Sequence, residues 1–86
     1  MTPVIKYVVL DVLKPHEPPL TDFASKLCTL EGITRVDISL VEMDTKTMSL
    51  KVVIEGNAID FESLREHIND VGAVIHSIDQ VIVEEK

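Results

Sequence analysis

Gly32-Ile33-Thr34-Arg35-Val36-Asp37-Ile38-Ser39-Leu40 and Gly72-Ala73-Val74-Ile75-His76-Ser77-Ile78-Asp79-Gln80 stand 40 positions apart and share one plan, a glycine leading into an extended apolar run. Each glycine closes a stretch of helical periodicity, and each such stretch comes after an earlier apolar run. The chain therefore reads as two β-α-β halves of roughly 40 residues each.

Outward from these segments the other elements fall into place. Val4 to Leu13 is apolar and β-branched, broken only by Lys6 and Asp11, which predicts a central strand covered on both faces. Pro15, Pro18 and Pro19 forbid its continuation, so Lys14 to Pro19 is a stiff loop. A helix is expected from about Pro19–Asp22 to Glu31, with Leu20, Phe23, Ala24, Leu27 and Leu30 as its apolar stripe and Gly32 as a left-handed stop. Ile33 to Met43 alternates: Val36, Ile38 and Leu40 face one way, Asp37, Ser39 and Val41 the other. Asp44 to Thr47 makes a hairpin turn, and Met48 to Glu55 returns with Met48, Leu50, Val52 and Ile54 inward before Gly56 and Asn57 break the strand. Asp60 is placed to cap the second helix, with Ile59 and Leu64 at the positions of a hydrophobic staple. Phe61, Leu64, Ile68 and Val71 form that helix's stripe. Ala73 to Val83 is the last strand, ahead of a frayed acidic tail at Glu84-Glu85-Lys86.

Right-handed crossovers and a hairpin between the middle strands leave one antiparallel sheet, order 4-1-3-2, with both helices on one face. The expectation is a single α+β domain over residues 1–86, a ferredoxin-like βαββαβ sandwich.

Composition bears on what this domain meets. At 86 residues a chain buries only about 60–65% of the surface that its unfolded form exposes, yet 45% of this one is apolar and its mean hydropathy is +0.21. So apolar a small globule predicts cover from other subunits, hence a homo-oligomer. Alternation places Tyr7, Val9, Leu13, Val41, Val53, Ile75, Val81 and Val83 on the helix-free sheet face, beside a charged group of Asp11, Lys51 and Asp79. Assembly through that face or through the sheet edges is expected. A small ligand held where subunits meet fits the same picture.

Fifteen acidic against eight basic residues give a net charge of −7, which argues against nucleic acid, since a phosphate binder needs clustered positive charge. The start of the chain has no basic segment leading into a signal-type apolar run. No apolar run approaches the roughly 18 residues of a membrane span. The expectation is a soluble cytoplasmic protein with no membrane partner. Cys28 stands alone, excluding an intramolecular disulfide and a Cys-x-x-Cys motif, and its place beside the apolar stripe predicts a buried thiol.

No motif identifies a reaction, and the chain reads as a non-enzymatic module with no catalytic residues. Its serines lack a glycine-rich elbow, its three glycines make no phosphate cradle, and adjacent His76 and Ser77 project to opposite faces of a strand. The topology does gather three segments at one end of the sheet: the loop after strand 1, the hairpin turn and the exit of the second helix. His16, Glu17, Glu42, Asp44, Asp70 and His76 are thereby candidate ligands for a divalent cation, Ca²⁺ or Mg²⁺ if oxygens dominate and Zn²⁺ if both imidazoles engage. The repeat sets His76 opposite Val36, an inward position, which favours a hydrogen-bonded core histidine. His67 looks toward solvent.

Leu10-Asp11-Val12-Leu13-Lys14-Pro15-His16-Glu17-Pro18, Gly32-Ile33-Thr34-Arg35-Val36-Asp37 and Val74-Ile75-His76-Ser77-Ile78-Asp79 resemble the small archaeal family called domain of unknown function 211. The resemblance covers nearly the whole chain. It implies a ferredoxin-like fold, an archaeal cytoplasmic protein and assembly into multimers, and it brings no activity and no catalytic residues. Two functional readings result: a ligand-sensing or scaffolding oligomer, and a divalent-cation-binding protein. Amino-acid-sensing regulatory domains of similar topology also remain open.

Overall fold

The computed structural model describes residues 1–86 as β1 (Pro3–Pro15), α1 (Leu20–Cys28), β2 (Ile33–Met43), β3 (Thr47–Ile59), α2 (Phe61–Asp70) and β4 (Val74–Glu85). The strands form one antiparallel sheet in the order β2-β3-β1-β4, which is the expected 4-1-3-2 arrangement of a ferredoxin-like fold. β1 and β3 lie in the centre. Their inward residues pair Val8 with Ile54, Leu10 with Val52 and Val12 with Leu50. These six pack with Phe23 and Leu27 of α1 and Leu64 and Ile68 of α2 into one core. Burying each such side chain stabilises the fold by about 1.5–3 kcal/mol before chain entropy is subtracted.

Local chemistry accounts for the helix ends. Asp60 Oδ1 accepts the Ser63 N–H at 3.2 Å, and Ile59 and Leu64 on either side are both buried, so cap and staple form together. α1 has no side-chain cap. Pro19 holds the N-cap position, where its missing N–H costs nothing, and the helix ends at Cys28, a turn earlier than the stripe alone predicts. Gly32 and Gly72 have φ of +88° and +85°, the left-handed stops that their place in the repeat requires.

β3 does not break at Gly56 and Asn57 but runs to Ile59. A Cβ on Gly56 would lie 1.9 Å from the Gly32 carbonyl oxygen, while Asn57 N–H donates to that same oxygen at 2.9 Å. This glycine lets two backbones touch, and the strand continues through it. The tail of β4 is also ordered to Glu85, which pairs with Pro3, as Glu84 does with Val4.

The helices are short for their sheet. Nine and ten residues of helix span about 14–15 Å, whereas strands of 11 to 13 residues run about 36–43 Å. The sheet therefore overhangs the helix layer.

Candidate functional site

Alternation along β1 continues one step beyond Val12 and turns Lys14 inward opposite Met48. Lys14 is fully buried, the only charged residue that is. Its methylenes run into the core and its Nζ lies 5.8 Å from the centre of the Phe23 ring. The ammonium emerges under the Pro15–Pro19 loop, where it donates to the carbonyls of Pro15 at 2.9 Å, His16 at 3.4 Å and Pro18. Three N–H donors thus meet three carbonyls, in a loop where prolines leave carbonyls without matching N–H groups. Burial pushes the Lys14 amine below the ordinary lysine range, with the Glu17 carboxylate opposing the shift. Lys14 belongs to the framework at this end of the sheet and not to an exposed loop, and the unbroken parity Val8, Leu10, Val12 is the signal in the sequence that points to it.

The three expected segments do meet here. His16 Nε2–H donates to the Asp44 carbonyl at 2.9 Å, joining the β1–α1 loop to the hairpin turn. Pro15 approaches Gly72 closely, its Cγ 3.4 Å from where a Cβ would stand. The side chains of His16, Glu17, Glu42, Asp44, Asp70 and His76 all point into solvent, however, and no three His, Cys, Asp or Glu side chains gather around one point anywhere in the chain. It is the backbone of Asp44, not its carboxylate, that contacts His16.

His76 is not a core histidine. β4 carries a bulge here: Ser77 pairs with Asp11 and Ile75 with Val12, leaving His76 between them, unpaired and exposed. It borders a hollow of about 250 Å³ shared with Asp11, Leu13 and Ser49. A second bulge leaves out Asp79, so that Gln80 pairs with Val9 and Ile78 with Leu10. Each extra residue reverses the parity of the strand beyond it. Ile75 therefore packs against the core, and Val81 and Val83 pair with the inward residues Val8 and Ile5. Val74 and Ile82 take their places on the helix-free face. Two further expectations are reversed: Cys28 is exposed, and His67 is half-buried, its Nδ1–H donating to the Ser63 carbonyl at 2.8 Å.

The helix-free face holds the largest concavity, about 460 Å³ at the middle of the sheet, with Tyr7, Val9, Asp11, Val41, Lys51, Asp79 and Gln80 around it. The expected group of Asp11, Lys51 and Asp79 is thus assembled on this face, although none of the three ion pairs in the chain involves it. No helix is long and apolar enough to cross a membrane.

Known proteins match nearly the whole of the chain. The family model of domain of unknown function 211, Uncharacterized ArCR, matches residues 6–86. The chain is also 49% identical over 82 residues to Uncharacterized protein MJ0319 of Methanocaldococcus jannaschii, covering 95% of this chain and 84% of that protein. A family match that begins inside β1 and runs through all six elements, together with a relative of almost the same extent, leads to one conclusion: this chain belongs to the archaeal domain of unknown function 211 family.

Proposed function

We propose that this protein is a non-enzymatic assembly module whose copies join through the edges of their sheets. One observation carries the reading. Leaving aside Met1, nine large apolar residues are exposed, and eight of them lie on the edge strands: Leu40, Val41 and Met43 on β2, and Val74, Ile78, Val81, Ile82 and Val83 on β4. Several belong to the helix side. Leu40 and Met43 are at the far end of β2, beyond the Val36–Ile38 stretch that lies beside Leu20 and Ala24 of α1. Val81 and Val83 are near the end of β4, beyond the Ile75–Ile78 stretch beside Phe61 of α2. The two overhangs occupy opposite corners, and each leaves side chains about half exposed. Apolar surface concentrated in this way marks a contact surface. Bulges at Val41, His76 and Asp79 interrupt both edges, which favours joining by side-chain burial over extension of the sheet.

Light scattering after gel filtration tests this. The expected mass is a multiple of 9.6 kDa, and Val81→Lys with Val83→Lys returns the monomer with its circular dichroism unchanged. A monomer of the unaltered chain at micromolar concentration defeats the proposal.

The meeting of three loops at the Lys14 end supports a second, lesser reading, a divalent cation shared between copies. It would draw on His16, Glu17, Glu42, Asp44, Asp70 and His76 from more than one chain, since one chain does not bring three of them together. A rise in melting temperature with Ca²⁺, Mg²⁺ or Zn²⁺ that EDTA reverses would support it.

A further inference from the structure

The hollow at the centre of the helix-free face is built unlike the rest of the surface. Val9, the apolar residue at its floor, is only 6% exposed although no helix covers it, and Tyr7 and Val41 add apolar walls. Across this floor the strand order sets a row of charges of unlike sign. Lys51 on β3 faces Asp11 on β1, and Asp79 lies beyond on β4. Neighbouring strands are about 4.8 Å apart, so the positive and negative ends of the row are one to two strand spacings from each other. The Lys51 ammonium is free of any ion pair. Asp79 is oriented from its own strand, Ser77 Oγ–H donating to its Oδ1 at 2.7 Å, which leaves Oδ2 open.

From this arrangement we infer that the hollow binds a free α-amino acid with an apolar side chain. A simple anion attracted by Lys51 would meet two carboxylates, and a simple cation attracted by Asp11 and Asp79 would meet the ammonium. A ligand carrying both charges on neighbouring atoms satisfies the row. Its carboxylate accepts from Lys51 Nζ, its ammonium donates to Asp79 Oδ2 and to Asp11, and its side chain lies on Tyr7, Val9 and Val41. The volume of about 460 Å³ falls in the range of small-molecule sites, roughly 300–1,000 Å³. Charge-assisted contacts supply orientation, and the apolar floor supplies desolvation. Its floor at Val9 and its three charges lie outside the exposed apolar set through which copies are proposed to join, and only its Val41 wall is shared with the β2 edge.

Calorimetric titration of the full chain with L-leucine, L-valine and L-phenylalanine tests the inference. At least one is expected to bind at one equivalent per chain. The leucine analogues lacking one charge, 3-methylbutylamine and 4-methylpentanoate, are expected to bind at least about tenfold more weakly than leucine, as are leucine to Lys51→Met and to Asp79→Asn. The mass and melting temperature of both variants stay those of the unaltered chain. Three silent amino acids, an analogue binding as well as its parent, or variants that bind normally would each overturn the inference. So would a Lys51→Met chain that changes mass, because this face would then be a contact between copies.

Discussion

The two β-α-β halves share a plan and differ in how tightly each is closed. In the first half, β1 and α1 are separated by the His16–Pro19 loop, whose carbonyls turn onto a buried ammonium. In the second, only Asp60 separates β3 from α2, and its carboxylate caps the helix directly. The glycines that end the two helices show a similar contrast. A Cβ at Gly32 would stand 2.2 Å from the Ala58 carbonyl oxygen, whereas at Gly72 its nearest neighbour is Pro15 Cγ at 3.4 Å. The same left-handed turn is thus closed by rigid backbone in one half and by a movable ring edge in the other. Conformation comes from the repeat; its tolerance depends on what lies across from it.

Substitution at both glycines sharpens this contrast and carries the largest expected effect. Gly32→Ala combines a left-handed alanine with overlap against backbone and is expected to lose roughly 3–5 kcal/mol of stability, whereas Gly72→Ala loses about 1 kcal/mol. Urea denaturation of both variants measures the difference. Similar losses would mean that conformation, not close approach, decides both positions.

Lys14 comes next. It is the fully buried charge of the first half, and the second half buries none. Lys14→Met keeps most of the stem and leaves the loop carbonyls without a donor, an expected loss of about 2–3 kcal/mol. The pH dependence has a defined sign. Burial lowers the folded-state value below the ordinary 10.5, so between the two values the unfolded chain holds more protons. Folding is therefore favoured as pH rises through that window. The stability of the unaltered chain minus that of Lys14→Met should increase toward pH 10.5; a decrease would show that the three carbonyls favour the charged form more than burial disfavours it.

The smallest effect concerns Val36 and His76, which the repeat makes equivalent. Val36 packs against the core and pairs with Ile54, while His76 stands outside the ladder. Val36→Ala is expected to cost about 1–2 kcal/mol, and His76→Ala to stay within about 0.5 kcal/mol. Thermal melts suffice. Equal losses would restore the parity that the β4 bulges remove.

Much of the candidate surface is readable from particular residues. Alternation groups Asp11, Lys51 and Asp79 correctly because Asp11 and Lys51 sit on the central strands, whose pairing runs without a shift from Tyr7 and Glu55 to Pro15 and Thr47. The same alternation sends Val81 and Val83 to the wrong face, because a bulge arises from pairing between strands and leaves no mark in the periodicity of one. A place near the helical stripe puts Cys28 inside, but a nine-residue helix is too short to cover all that its stripe implies. A charge beside prolines signals a turn and so hides Lys14; its burial depends on carbonyls contributed by the turn itself.

Short-range periodicity, glycine placement and chain handedness determined the six elements, their order and the inward faces of β2 and β3, because these are properties of neighbouring residues. Tertiary structure alone decided where β4 bulges, which end of each edge strand overhangs its helix, and which residues of β4 change face. Each of those depends on the register between strands distant in sequence, which no local pattern contains.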